Sequence, residues 1–371
     1  MKLNDITKTL EQIAPLELAE EWDNVGLLAG DYEQSIKNVM LTIDLTDQVL
    51  AEAQANKIDL IVAYHPPIWE PLKKVVAGHG TSPLLYQAIR SNIAIYALHT
   101  ALDCAAGGVN DVLAEIIGIE SPRPLRQPTT ATGSMCKLVV FVPESDLAKV
   151  SEAIFIAGAG NLGPESKYSR CSFRTRGTGT FQCGPGSKPA IGKPGSFEQV
   201  DEYRLESIVP TKILAAVTRA MLAAHPYEEV AYDIIPLLDS QTETGLGRFG
   251  CLKTPAAIPE LITKIKKTFK TDTVGLIGPQ RGKVKTAAVC AGSCGSILRS
   301  VIAHNCDFYL TGELKHHHAL ELQTAGVSTV CLGHSISERI ILPKLAKALR
   351  QSRKPLTVKI SRKDRDPFKC K

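Results

Sequence analysis

No stretch of this 371-residue chain approaches the ~20 consecutive apolar residues a membrane-spanning helix needs. The opening "MKLNDITKTLEQIAPLELAEEWDN" is polar and amphipathic and lacks the apolar segment of a secretory signal. Ten cysteines are present, yet no C-x-x-C occurs. The tightest pair, Cys290 and Cys294 in "CAGSC", leaves three residues between the sulfurs. Structural zinc sites and disulfide frameworks pair more densely, so reduced, buried thiols in a soluble cytoplasmic protein are expected. Other signatures are missing too. "CAGSCGS" has neither the lysine nor the spacing of a P-loop, and no G-x-S-x-G marks a serine hydrolase. "GLGRFG" (245–250) has no strand running into it and no helix opening from it, as a dinucleotide fingerprint requires. No recognisable nucleic-acid motif accompanies the net charge of +5. Much of that charge sits in "RQSRKPLTVKISRKDRDPFKCK", so 351–371 is expected to be a solvated basic tail.

What is present is an alternation of strand and helix. With 44% hydrophobic and 22% charged residues, the chain has globular composition and length for two or three domains. "KNVMLTIDL", "IDLIVAYH" and "IAIYALH" are short apolar runs separated by helical segments, the pattern of a parallel sheet covered on both faces. Thr46 is the expected N-cap of the first of these helices. "TAAVCAG", "CDFYLTGEL" and "VSTVCLGH" repeat the order in the second half. Superposing the repeats sets His65 opposite Glu313, His99 opposite His334 and Asp103 opposite Glu338. The fold expected is α/β: a duplicated three-layer domain formed by 1–130 and 245–350. Between the halves, 134–240 reads strand-helix-strand-strand-helix-strand, a ferredoxin-like insert. "CGPGSKPAIGKPGS" joins its middle strands, and "LRQPTTATGS" and "SQTETGLGRFG" read as linkers.

In open α/β sheets, ligands gather beyond the carboxyl ends of the strands. His65, His99, Asp103, His334 and Glu338 all fall there. Imidazole with carboxylate suits a divalent metal such as Zn, Fe, Mn, Co or Ni, and a carboxylate can bridge two ions. A single histidine at a strand end is more often an ordinary hydrogen-bonded residue, and "HPP" alone could be a rigid turn. What favours metal is convergence: each half supplies a His-x-x-x-carboxylate at the same topological position. In "KHHHALE", His316 and His318 could sit in a solvated helix start, with His317 turned inward.

Several stretches together carry a family resemblance: "EEWDNVGLLAG", "AYHPPIW", "HTALDCAAGGVND", "GLGRFG", "LTGELKHHHALE" and "GHSISE". With them the chain resembles the dinuclear-metal proteins known as GTP cyclohydrolase I type 2 homologues, or Nif-like interacting-factor proteins. The insert is similar to the PII/CutA-like domain of longer members. The resemblance implies a toroidal homohexamer with two metal ions per subunit. It assigns His65 and Asp103 to one metal and His334 to the other, with Glu338 bridging; His99, Glu313 and His317 would stand behind them. The family pattern has two adjacent histidines before the proline, and here the first is Tyr64. One metal is therefore expected to be held firmly and the second weakened. The resemblance also implies hydrolysis of a nucleotide or related heterocycle by metal-activated water, with His99 moving protons. The alternative is a non-enzymatic metal-binding or interaction protein whose insert senses a small ligand or partner. "AAHPYEEVAYD" in the insert could line a small-molecule pocket or serve only as an edge and oligomer-packing element.

Overall fold

The computed structural model describes residues 1–78, 82–127, 135–161, 166–237, 243–352 and 355–368. Most of "LRQPTTATGS" and the start of "SQTETGLGRFG", expected as linkers, lie outside these residues. The chain divides into two compact units, 1–130 with 242–371, and 131–241. Along the chain the strands are β1 (Gly26–Ala29), β2 (Asn38–Thr42), β3 (Leu60–Ala63), β4 (Ala94–Ala97), β5 (Met135–Pro143), β6 (Ser172–Gln182) and β7 (Phe197–Pro210). There follow β8 (Tyr232–Pro236), β9 (Arg248–Ala257), β10 (Gly275–Ile277), β11 (Lys283–Ser293), β12 (Phe308–Glu313), β13 (Ser328–Cys331) and β14 (Thr357–Ile360).

The first unit holds two five-stranded sheets, ordered β1-β4-β3-β2-β14 and β10-β13-β12-β11-β9. Strands β2, β3 and β4 run parallel, as do β11, β12 and β13. An antiparallel edge strand lies on the third member of each triplet, β1 on β4 and β10 on β13. Every residue of β3 and β4 is buried, as an apolar run in a doubly covered parallel sheet should be. The repeat extends to hydrogen bonding. Asp59, just before β3, accepts from the amides of Lys37 and Asn38 at 2.8 Å each. Asp307, just before β12, accepts from Lys285 and Thr286 at 2.8 and 2.9 Å. Thr46 caps the helix Asp47–Ala55 by accepting from the Val49 amide.

Buried polar groups join the halves. Asn110, fully buried, donates to the Asp103 carbonyl and accepts from the Ala291 amide, both at 2.9 Å. Arg248 is 1% exposed and grips Asp111 through Nε and Nη2 at 2.6 and 2.9 Å. It also donates to the carbonyls of Gly245, Gly247, Ala105 and Glu243. "GLGRFG" is thus the seat of a buried guanidinium with every donor direction used.

Two expectations are corrected. The stretch expected to be a solvated tail supplies β14, which pairs with β2, and beyond it Asp364 is buried. Asp364 accepts from the Ile43 amide and from Arg339, each at 2.8 Å, which offsets the cost of burying a carboxylate. The expectation that all cysteines are reduced also fails. Cys290 and Cys294 flank the turn that ends β11, which brings their Cα atoms to 6.1 Å, and they form a disulfide.

The second unit is an antiparallel sheet ordered β6-β7-β5-β8, with the helices Leu147–Ile156 and Leu214–Ala224 on one face. Leu138, Val140 and Val142 of β5 pack with Val150, Ile154, Val217 and Met221 of those helices. Its entry and exit strands pair directly, with Cys136 opposite Pro236. Among the described residues no helix is long and apolar enough to cross a membrane.

Candidate metal centre

Strand β3 runs into Tyr64 and His65, whose amides still pair with the carbonyls of Thr42 and Ile43 at 2.9 and 3.0 Å. That pairing holds His65 at the strand end before Pro66 and Pro67 turn the chain. Strand β4 is followed by a short helix, His99–Cys104, and β13 by its counterpart, His334–Arg339. Gly333, at φ +96°, makes the turn into the second helix, a backbone conformation that suits glycine.

Glu338 lies between two imidazoles, one from each half. His65 Nε2 is 3.2 Å from Oε2 and His334 Nε2 is 3.0 Å from Oε1. Each histidine is fixed from behind by a carboxylate at Nδ1. Asp44 holds His65 at 2.9 Å, Glu313 holds His334 at 3.0 Å, and Asp23 holds His99 at 2.8 Å. A carboxylate at one ring nitrogen sets the tautomer and makes the other a better ligand. The ring centroids of His99 and His334 each lie 5.3 Å from that of His65.

The electrostatics follow from burial and pairing. Burial opposes the charge on His65, yet Asp44 and Glu338 carry its pKa up to about 10. The hydrogen bond to Glu338, working against burial and aided by Glu313, lifts His334 to about 9. Burial pushes Glu338 up, but His334 and His65 together hold it below the usual carboxylate value. Asp103 is pushed up to about 7, chiefly by burial. Burial, then the charges of Asp103 and Glu338, drive the Tyr64 phenol well above its ordinary range.

The donor set fits a metal ion. One donor atom each of His65, His334 and Glu338 lies within 4.8 Å of the others. Glu338 Oε2 is buried and accepts no well-directed hydrogen bond despite lying within ion-pair range of His65. A buried carboxylate oxygen left so is costly unless a cation completes it. Gly292 is the residue that lets the backbone pass: a Cβ there would stand 2.6 Å from Glu338 Oε1.

The other expected residues take different places. Asp103 lies outside that trio and accepts a hydrogen bond from Tyr64 Oη. His99 faces the trio without joining it, and Glu313 acts through His334. His317 is not turned inward. It is exposed, its ring against that of His318 at 4.2 Å, because the helix His316–Thr324 buries Leu322 instead. Asp23, Asp44, Trp22 and Trp69 escaped the sequence reading. Asp44 carried the same signal as the residues that were found, a carboxylate just past a strand. The indoles of Trp22 and Trp69, 62% and 54% exposed, stack at 6.4 Å with 14° between their planes. Both stand edge-on to His99, at 5.8 and 5.2 Å.

Comparison with known proteins agrees with this architecture. The family model for Duf34/NIF3 (NGG1p interacting factor 3) matches residues 1–367. A Bacillus subtilis (strain 168) protein named GTP cyclohydrolase 1 type 2 homolog is 36% identical over 366 residues, 98% of this chain and 97% of the relative. A relative of the same name from Mycobacterium tuberculosis is 33% identical over 353 residues, 94% of this chain and 92% of its own. Among solved structures, a Bacillus cereus protein related to NIF3 superposes with a TM-score of 0.71 at 32% identity, covering 100% of this chain and 99% of the other. A Staphylococcus aureus protein, SA1388, shares the fold with a TM-score of 0.80 at 23% identity, covering 100% of this chain and 99% of its own. With a His65–His334–Glu338 group drawn from both halves and a family match over nearly its full length, the chain belongs to the DUF34/NIF3 family.

Proposed function

We propose that this protein is a metal-dependent hydrolase of a nucleotide or related nitrogen heterocycle, working at the His65–His334–Glu338 centre. One observation carries the reading: His65 and His334 flank the buried Glu338 and His99 stands beside His65, each imidazole oriented by its own carboxylate, next to two exposed, stacked indoles. A divalent metal (Zn, Fe, Mn, Co or Ni) would supply Lewis acidity there and lower the pKa of water it coordinates. The chain's own residues do the rest. Trp22 and Trp69 offer flat apolar surface to a planar ring. His99, held by Asp23, takes the proton released as water adds to an electrophilic ring carbon. It returns that proton to the ring nitrogen when the carbon–nitrogen bond breaks. The name shared by the relatives favours GTP or a similar purine nucleotide as substrate.

Tyr64 supports a second reading. It replaces a family histidine and occupies Asp103, so the site holds one metal firmly and a second only weakly. A protein so reduced could bind metal or a partner without catalysis. The wider proposal is a cytoplasmic, toroidal homohexamer whose insert is ferredoxin-like and PII/CutA-like.

The test uses metal-loaded protein with GTP and a panel of purine and pyridine heterocycles, followed by ultraviolet absorbance. Turnover lost in Glu338→Gln and slowed in His99→Gln supports the hydrolase. Full metal occupancy with no turnover across the panel gives the non-enzymatic reading the lead. The chain's two tryptophans are Trp22 and Trp69, so intrinsic indole fluorescence reports ring stacking at this site independently of turnover.

A further inference from the structure

A cavity of about 940 Å³ lies wholly within the inserted unit, and none of the metal-centre residues lines it. Its walls are β6, the "CGPGSKPAI" loop after it, and the segment from Tyr227 to Ala231 that leads into β8. The loop is tied to that segment, the Lys188 amide donating to Glu228 Oε1 at 2.9 Å. The volume lies in the range of small-molecule sites, roughly 300–1,000 Å³.

The buried charged group of the lining is acidic. Glu202 is 8% exposed and lines the cavity. Its Oε1 accepts from Tyr227 Oη at 2.8 Å. Its Oε2 lies over Gly179, where a Cβ would stand 2.1 Å away, so a side chain there would displace the carboxylate from this position. Among the described residues no lysine, arginine or histidine nitrogen lies within ion-pair distance of it. His225, nearby, does not compensate it. Its Nε2 donates to the Phe141 carbonyl at 2.9 Å, and its Nδ1 accepts from the Tyr227 amide at 3.2 Å. An imidazole that accepts at one nitrogen and donates at the other is neutral.

The two arginines on the lining are already engaged. Arg176 pairs with Asp201 at 2.9 Å and Arg204 with Glu206 at 2.8 Å. Glu228 and Glu229 add carboxylates to the rim. The apolar part of the wall is aromatic: Phe141, Phe181 and Tyr227, with the last two rings 6.2 Å apart. A buried carboxylate without a cation is costly, and aromatic faces attract cations. We infer that this cavity binds a small organic cation, an ammonium on an apolar body, with Glu202 meeting the charge and Phe141, Phe181 and Tyr227 enclosing it. The inference is independent of the metal centre and of any hydrolysis there.

The test is calorimetric titration of the full-length protein with three probes of one shape: benzyltrimethylammonium, benzyl alcohol and benzoate. The expected result is binding of the cation at least about tenfold tighter than either other probe, the fold-change of ~1.4 kcal/mol. Glu202→Gln, which keeps an acceptor for Tyr227, should remove that preference, and Phe181→Ala should weaken the cation tenfold. A Trp22→Ala/Trp69→Ala double variant should bind it unchanged, which separates this cavity from the indole pair. Equal affinity for cation and alcohol overturns the inference, as does no detectable binding, or loss only in the tryptophan variant. If Glu202→Gln does not fold, the wild-type charge comparison and Phe181→Ala decide between these outcomes.

Discussion

Tyr64 donates a hydrogen bond to Asp103 in the interior, and that bond engages a carboxylate lying outside the His65–His334–Glu338 group. Burial, then the charges of Asp103 and Glu338, hold the phenol protonated, so it presents a hydrogen-bond donor and not the phenolate that would be a strong metal ligand. Elemental analysis of protein purified without chelator should find about one divalent metal per chain, lost in Glu338→Ala. Tyr64→His frees Asp103 and should raise the count toward about two. Two equivalents already in the wild type would show that Tyr64 blocks nothing.

Asp44 never enters the ligand trio, yet it orients His65 at 2.9 Å. Asp44→Asn keeps the shape and removes the charge that makes His65 Nε2 a strong donor. Metal affinity, measured by competition with a chromophoric chelator, should fall by about 10- to 100-fold with the fold intact. An unchanged affinity would reduce Asp44 to a bystander.

In the metal-free protein His65 and His334 hold protons up to about 10 and about 9, against an ordinary 6.5. A raised pKa means the folded state binds more protons, so this stabilisation is complete below pH ~6.5 and is lost as pH rises through those values. Asp103, raised from 3.8 to about 7, acts in the same direction at lower pH, its contribution lost as pH rises from about 4 through about 7. Melting temperature of the stripped protein should therefore fall from pH 6.5 to 10. On the acid side Asp23, Asp44 and Glu338, all depressed, should cause a second loss as pH falls through the carboxylate range. Metal must displace the imidazole protons, so binding should release protons and tighten between pH 6 and 9. A flat profile for the stripped protein would contradict both.

The buried Arg248 and the partly exposed Asp111 form the ion pair that clasps the two halves. Arg248→Ala leaves Asp111 and four carbonyls without their donor, and should cost about 3–5 kcal/mol in denaturant unfolding. Asp111→Ala should cost a similar amount. A loss under ~1 kcal/mol for both would mean that water replaces the clasp without penalty.

The site was legible where chemistry repeats. His65, His334 and Glu338 stand at strand ends in both halves, and period and position sufficed to find them. Asp59 and Asp307, six residues ahead of His65 and Glu313, show the same repeat in the backbone. Strands β1, β9, β10 and β14 were not legible, because edge strands need only one paired side and tolerate mixed composition. Basic residues hid β14: Lys359 lies on an exposed position while Val358 is 3% exposed. Asp103 lies outside the trio and accepts from Tyr64, a neighbour that the resemblance does not carry over.

The pairing of β5 with β8 has a bearing on how the metal centre assembles. Asn110 must find Ala291, 181 residues further along the chain, before the halves can close. Loop closure over such a distance slows folding, since its entropy is lost before any contact repays it. The insert lies in that interval, and its first and last strands lie side by side, Cys136 opposite Pro236. Once the insert has folded, its two ends are neighbours. For the search that brings Ala291 to Asn110, the folded insert counts only as a short tether.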